Sequence, residues 1–354
     1  MGEIREDGMQ VRISRRMTMC ALASAMMFGN WSAAAQAEKP SWLDPELLAA
    51  AKPEGTVVVY STTNEQEGLP LWKMFEEATG LKVLYVRASD VQILSRVVIE
   101  ARAGQRAWDI AQTANLQKFP QDFLLPHEPP EARNLIEGAR DPGKRWYGVY
   151  ANYNTPAYNT KFVKPEDLPA RLEDFAKRTD WAGRVVIDNT DTPWLAAIFD
   201  HYGEKRAREI LGEIVTRLRP VVLDGHLAIA RAVGGGEYLV ALNNYLNLTM
   251  NVKLANSPTD FWVVEPVTLF FGQSAINAKA PHPNAAKLAQ NFILSREAQQ
   301  FLSKFGRLPT RPDVTTNPPG VLEPVLKAKV VTKLLDAEDE KKWVRIFNEI
   351  FRPR

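Results

Sequence analysis

The sequence predicts an α/β chain folded as two lobes with a cleft between them. Three observations carry that expectation. Short apolar, β-branched runs alternate with segments of helical spacing, a second such series begins near Tyr153, and 354 residues are enough for two lobes. Hydrophobic residues make up 45% of the chain and charged residues 24%, the balance of a globular protein rather than a disordered one. Lys plus Arg number 44 against 42 Asp plus Glu, a net charge of +2, which argues against a strongly basic nucleic-acid binder. The single cysteine excludes a disulfide framework and a cysteine-rich metal site. No run of about 20 uninterrupted apolar residues is present to make a spanning helix.

The N-terminal segment reads as an export signal. Arg12, Arg15 and Arg16 precede the apolar run Met17 to Phe28, and small residues follow, ending in Ala35-Gln36-Ala37. Positive charge, a short apolar core and an A-x-A end are the three parts of a secretory signal, so cleavage is expected after Ala37. Ser14-Arg15-Arg16 also resembles the start of a twin-arginine signal, and both export routes stay open. Met9 and Met17 are alternative starts, because Met1 to Gln10 carries three acids. Removing residues 1–37 takes away Cys20 and leaves 40 basic and 39 acidic residues, a cysteine-free and nearly neutral chain suited to the periplasm.

The elements follow in order. Gly55 to Tyr60 is β-branched and apolar, as in a strand buried in a parallel sheet. Leu69 to Thr79 has helical spacing of Leu71, Met74, Phe75 and Ala78 and stops at Gly80. Leu81 to Val86 is a second strand. Asp90 to Ala103 is a second helix with Val91, Leu94, Val97 and Val98 on its apolar face, and Trp108 to Ala111 is a third strand. The Pro-rich patch Phe119 to Pro130 reads as a loop. In the second series Arg184 to Ile187 is a strand, Pro193 to Leu218 holds one or two helices, and Pro220 to Leu223 is a strand followed by a helix through Val233. Tyr238 to Leu242 and Phe261 to Val267 are further strands, and Asn284 to Phe305 is one long amphipathic helix. In open α/β sheets a ligand lies beyond the carboxyl ends of the strands, so the loops there are the candidates.

No catalytic or phosphate-binding motif is present. The four histidines, His127, His201, His226 and His282, are not at metal-motif spacing, and H-E-x-x-H, G-x-S-x-G, Walker and G-x-G-x-x-G sequences are absent. Gly234-Gly235-Gly236 precedes a strand rather than following one, which suits a turn. The loops after strands are richer. Ser61, Thr62, Thr63 and Asn64 join the first strand to its helix, and hydroxyls, an amide and free N–H groups there make a polar pocket suited to an anionic group. Arg87 and Ser89 hold the equivalent place after the second strand; Arg87 can clamp a carboxylate or phosphate, or face water. Asp188 to Trp194 follows another strand, with Thr192-Pro193 as a helix-start signature and Trp194 as a ligand wall or core residue. Asp188 and Asp191 would repel an anion and form the chain's one local pair of acids in such a loop, which a catalyst would need to use.

Thr56 to Tyr60, Phe75 to Val83 and Trp108-Asp109-Ile110 resemble the N-terminal lobe of bacterial extracellular solute-binding proteins, in particular the ferric-iron-binding-like subgroup. Trp181-Ala182-Gly183-Arg184 is similar to the family's entry to the second lobe, and Phe292 to Gln299 lies in a segment similar to its late helix. The resemblance implies a two-lobed, hinged type II periplasmic-binding fold, chain crossings near Asn152 and Glu265, and a receptor that delivers solute to an inner-membrane ABC permease. On it, residues 38–152 with about 265–310 form lobe 1, and 153–264 with about 311–354 form lobe 2. A monomer without cofactor and without nucleic-acid partner is expected, with a ligand-sensing input protein as the alternative use. The family's iron ligands fall on Asn64, Ala114, Tyr245 and Leu246, a poor set for Fe(III). What remains is an organic-ligand pocket with Asn64, Thr113, Asn152, Asn154, Asn244 and Tyr245 as hydrogen-bonders and Tyr150, Tyr153 and Trp194 as walls. A small carboxylate or phosphonate held by Ser61 to Thr63, Thr190 to Thr192 and Arg87 is the favoured ligand, and the acids Asp188 and Asp191 keep an amine or zwitterion open.

Overall fold

A computed structural model describes residues 40–105, 107–114 and 116–352. The export signal expected before Ala37 lies outside the described residues. Eleven strands among them form one sheet: β1 (Thr56–Ser61), β2 (Lys82–Arg87), β3 (Ile110–Thr113), β4 (Tyr147–Asn159), β5 (Val185–Asp188), β6 (Val221–Leu223), β7 (Val240–Tyr245), β8 (Thr259–Phe261), β9 (Val267–Ile276), β10 (Leu308–Pro309) and β11 (Val330–Thr332). The main path runs β2-β1-β3-β9-β4-β7-β5-β6, with β8 and β10 paired to β4 and β11 to β9. β1 is parallel to β2 and β3, and β5 is parallel to β6 and β7, whereas β9 and β4 run antiparallel in the middle. Two parallel α/β units are therefore joined by two long central strands, which gives the fold its two-lobed α/β class.

Each unit has its own apolar core. The first is centred on Trp42, Trp72, Phe75 and Phe292, with ring centroids 4.9 Å apart for Trp42–Phe292 and 5.5 Å for Phe75–Phe292. Aromatic contacts of this kind add about 0.5–1.5 kcal/mol each beyond area burial. The second packs Phe175, Trp181, Trp194, Phe199 and Leu211 against the C-terminal helix Ala337–Phe351 through Trp343 and Phe347. Val321 and Val325 belong to the first core, and the chain returns to the second at Leu335.

Several elements differ from expectation for identifiable reasons. The helix after β1 starts at Glu65 rather than Leu69, because the carbonyl of Asn64 accepts from the N–H groups of Glu67 and Gly68 at 3.0 and 2.7 Å. The second helix, Asp90–Arg102, buries Ile93 and Val97 and leaves Val91 75% exposed, so its inward face is rotated from the one expected. Ser89 and Gln92 set that start with a reciprocal capping box. The strand expected over Phe261 to Val267 does not form as one piece: β8 ends at Phe261 and β9 begins at Val267, directly after Pro266, which has no N–H for a ladder. The single helix expected over Asn284 to Phe305 is two, Pro283–Ile293 and Arg296–Ser303, because the Ser295 hydroxyl accepts from Ala298 N–H at 3.1 Å and opens a new helix. The three glycines end the helix His226–Gly235, with Gly236 at φ 81° as its left-handed cap.

Candidate functional site

The carboxyl ends of β5 and β7 and the middle of β4 meet in one buried polar cluster. Tyr245 closes β7 and lies opposite Asn154 of β4, while Asn244 lies opposite Thr155. Asp188 closes β5, and the loop after it leads to the helix Thr192–Tyr202. Further along the chain, β6 leads through Gly225 to a helix that begins at His226, three residues after Leu223. All three side-chain sources are strand-to-helix connections, the places where a parallel sheet leaves backbone and side chains unspent.

Asp188 is fully used by the fold. One carboxylate oxygen accepts from the Thr190 N–H at 2.6 Å and from its hydroxyl, and the other accepts from Gly225 N–H at 2.8 Å. Asn243 holds the Asp188 backbone through its side-chain amide. Asp191 differs. It stands at the N-cap position of its helix but makes no side-chain cap. One oxygen accepts from the Asn154 amide, and the other, Oδ1, is buried without a partner. Thr192, expected to cap, is the first helical residue instead and is buried. Burial and the neighbouring Asp188 charge push the Asp191 carboxyl well above the usual carboxylate range, so the empty site favours its protonated form.

His226 stacks on the Tyr245 ring, centroids 3.6 Å apart and planes 28° off parallel. Its Nδ1 lies 3.2 Å from Asn244 Oδ1, and the Asn244 amide nitrogen donates to Thr249 at 2.9 Å. That network assigns the Nδ1–H tautomer and leaves Nε2 as an acceptor. Nε2 has no hydrogen-bond partner and lies 3.6 Å from Asp188 and 3.9 Å from Asp191. Burial lowers the imidazole pKa against the opposing pull of Asp188, which keeps the ring neutral at neutral pH. Tyr245 is half-buried and meets Phe270 edge-on at 4.8 Å. Desolvation, then Asp191, Asp188 and Asp90, hold its phenol well above the ordinary value and therefore protonated.

The other expected residues divide into two groups. Thr113 is buried at the end of β3 and donates to Asp90, whose same oxygen accepts from Ala114 N–H at 3.0 Å. Asn152 is buried on β4, two residues from Asn154 and so on the same strand face. Trp194 is buried in the second core and borders a narrow cleft with Asn154, Leu242, Val264 and Pro266. In the first-strand loop the Ser61 hydroxyl accepts from Thr63 N–H, Thr62 N–H donates to the Gln112 carbonyl, and the Tyr85 hydroxyl donates to the Thr63 carbonyl. Asn64 is exposed, with its amide 3.4 Å from Glu67. Arg87 and Ser89 are exposed, and Ser89 caps its helix. No hydrogen bond among the described residues links these six to the Tyr245 cluster.

Neither His226, which the structure sets against Tyr245 and near Asp188 and Asp191, nor Asp90, which holds Thr113, was among the residues expected from the sequence. The available signal was positional: His226 opens the helix after β6 and Asp90 opens the helix after β2, as Thr192 does after β5. Among the described residues no group of three His, Cys, Asp or Glu is arranged to hold a metal ion. No helix among them is long and apolar enough to cross a membrane.

Comparison with solved structures places this architecture. Iron-bound HitA from Pseudomonas aeruginosa is similar at TM-score 0.68 and 21% identity, covering 82% of this chain and 99% of that one. AfuA from Actinobacillus pleuropneumoniae with exogenous fructose-6-phosphate bound is similar at TM-score 0.69 and 19% identity, covering 85% and 100%. The ferric binding protein from Campylobacter jejuni is similar at TM-score 0.65 and 21% identity, covering 84% and 98%. At these identities the likeness establishes the two-lobed periplasmic-binding fold. A family model for bacterial extracellular solute-binding proteins matches residues 110–332, more than half of the chain. The chain belongs to that family, the periplasmic solute receptors of ABC importers.

Proposed function

We propose that this receptor captures a small organic solute carrying a positive charge, an amine or a zwitterion, and presents it to its permease without a chemical step. One observation carries the reading. Three of the unpartnered buried atoms of the cluster, Asn154 Oδ1, His226 Nε2 and, once Asp191 ionises, its Oδ1, are hydrogen-bond acceptors. A buried acceptor without a donor costs about 1–3 kcal/mol, and a cationic ligand would supply N–H groups as Asp191 gives up its proton. No lysine or arginine among the described residues pairs with Asp90, Asp188 or Asp191, so the site carries net negative potential when Asp191 ionises. The carboxylate or phosphonate favoured by the sequence finds no basic side chain at this cluster, and Arg87 is exposed.

Ligand would drive closure by binding the closed form more tightly than the open one. The lobes in this proposal are residues 40–152 with about 265–332, and 153–264 with the remainder. The packing of Val321 and Val325 in the first core and the pairing of β11 with β9 support carrying the first lobe to Thr332 rather than ending it near 310. Binding residues in this proposal are Asn152, Asn154, Asp191, His226, Asn244 and Tyr245, with Thr113 at the facing strand end.

Ferric iron is the second reading, favoured by the hard oxygens of Tyr245 and Asp191 close to an imidazole. Against it, both Asp188 oxygens are committed to Thr190 and Gly225, and the phenol is held protonated. A thermal-shift screen separates the readings, because a ligand selective for the folded state raises the melting temperature. Putrescine, γ-aminobutyrate, succinate, methylphosphonate and ferric citrate suffice as probes. A shift with an ammonium-bearing probe supports the proposal; a shift confined to the acids, or to ferric citrate, overturns it.

A further inference from the structure

A guanidinium lies two residues along β4 from the acceptor cluster. β4 pairs with β9 along one flank, and with β7 and then β10 along the other. Tyr245, the last residue of β7, is opposite Asn154; β10 takes up the same flank with Leu308 opposite Ala151 and Pro309 opposite Tyr150. One step back along that antiparallel register sets Arg307 opposite Asn152. Facing residues share a side and sides alternate along a strand, so Arg307, Asn152, Asn154 and Tyr245 lie on one face. The packing agrees. A Cβ on Gly306 would lie 3.7 Å from the Asn247 carbonyl, two residues past Tyr245. The Arg307 guanidinium lies 4.6 Å from the centre of the Tyr150 ring, next on that face.

Arg307 has a donor to spare. Its Nε and Nη2 donate to the two oxygens of Glu67 at 2.8 and 3.3 Å, and Nη1 makes no hydrogen bond among the described residues. The Asn152 side chain makes none there either. Arg311 shows what the same fork accepts: Nε and Nη2 hold Asp313 at 2.9 and 2.8 Å while Nη1 holds Glu131. Arg307 has the first carboxylate and lacks the second.

Resting on the cationic reading above, we infer that Arg307 receives the carboxylate of the bound solute, which is an ω-amino acid with its ammonium at Asp191 and its carboxylate at Arg307 and Asn152. The strand spacing sets the class. Asn154 holds Asp191, Asn152 faces Arg307, and two residues of strand separate them by about 7 Å. An α-amino acid carries its charges on one carbon and cannot reach both ends. A diamine brings a second cation to a guanidinium. Several methylenes between ammonium and carboxylate span the gap, over the apolar floor of the Tyr245 and Phe270 rings, 4.8 Å apart. Glu67 already neutralises Arg307, so the guanidinium contributes hydrogen bonds and orientation without opposing the ammonium.

The test is titration calorimetry of the exported protein with γ-aminobutyrate, δ-aminovalerate, glycine and putrescine. One variant combines Glu67→Gln with Arg307→Gln, which removes the pair without stranding a charge; the other, Arg307→Lys, leaves Glu67 a counter-ion. Each is checked for native circular dichroism. Wild-type protein is expected to bind an ω-amino acid at least about tenfold tighter than putrescine or glycine. The double variant should weaken that ω-amino acid at least about tenfold and putrescine less than about threefold. Arg307→Lys should act in the same direction, because an ammonium lacks the fork that serves two carboxylates. Putrescine or glycine binding as tightly as the ω-amino acids overturns the Arg307 inference and leaves the cationic reading standing. So do folded variants that leave the ω-amino acid unaffected or weaken it and putrescine alike. If no amine binds wild-type protein, the reading and the inference fall together.

Discussion

Two buried acidic clusters in this protein are completed in opposite ways. In the first, Glu131 is 3% exposed and meets Arg311, which is 6% exposed; Ser41 and Asn134 donate to the same carboxylate, and Arg311 also grips Asp313 at 2.8 and 2.9 Å. The backbone N–H of Arg311 is itself held by Gln299 at 3.1 Å. In the second, Asp188 and Asp191 are 0% and 2% exposed, with a neutral His226 between them and no guanidinium or ammonium paired with them among the described residues. A buried charge is tolerated when it is paired and hydrogen-bonded, and otherwise it neutralises or awaits a partner. The closed cluster ties the C-terminal return of the chain to the first core. The open one stores an unsatisfied site at the strand ends, where a ligand can complete it.

That contrast can be broken at either end. Arg311→Met leaves Glu131 buried without its cation and should cost about 3–5 kcal/mol of stability; urea unfolding reads this, and a loss under about 1 kcal/mol would show that the cluster is not structural. At the open cluster, Tyr245→Ala removes the ring that covers His226 and should weaken solute binding about tenfold to a hundredfold. Calorimetry showing unchanged affinity would take Tyr245 out of the site.

Asp191→Asn should do two things at once: reduce binding of an ammonium probe and raise the melting temperature of the empty protein at neutral pH by about 2 °C. The sign follows from its raised pKa. The folded state holds the proton more tightly than the unfolded chain, so stability falls as pH rises from the ordinary carboxylate value through the raised one, and an amide removes that loss. A lowered melting temperature would mean the carboxyl stabilises the empty fold. The same titration makes ammonium affinity rise with pH, because the bound form needs the carboxylate while the empty form keeps the carboxyl; an affinity that falls with pH would indicate an anionic ligand. The smallest effect is expected at exposed Arg87, where Arg87→Ala should change affinity less than about twofold.

Much of the architecture was legible because it is local. β1, β2 and the helices after them appear as apolar periodicity bounded by Gly80 and the Ser89 cap, signals written within a dozen residues. The two long central strands were harder. β4 carries Asn152, Asn154, Thr155 and Asn159 among its buried positions, and no propensity foresees a strand buried along its whole length with four polar side chains. Pro266 hid the start of β9, and the C-terminal helix reveals its role only by packing Trp343 against Phe199 at 5.1 Å.

The site shows the same division. Sequence by itself determined the fold class, the family resemblance and the polar character of the loops after strands, because each depends on residue type and short-range spacing. The resemblance implied that the family's iron ligands are largely replaced, at Asn64, Ala114 and Leu246. Which loop residues share one buried cluster is visible only in three dimensions. Ser61 to Asn64, expected in the pocket, make hydrogen bonds with one another, with Gln112 and with Glu67. His226, 38 residues from Asp188 in the chain, becomes its neighbour at 3.6 Å. The sign of the pocket is likewise a tertiary property: it depends on which acids find a donor within the fold and which do not, and Asp188 finds its donors while Asp191 Oδ1 does not.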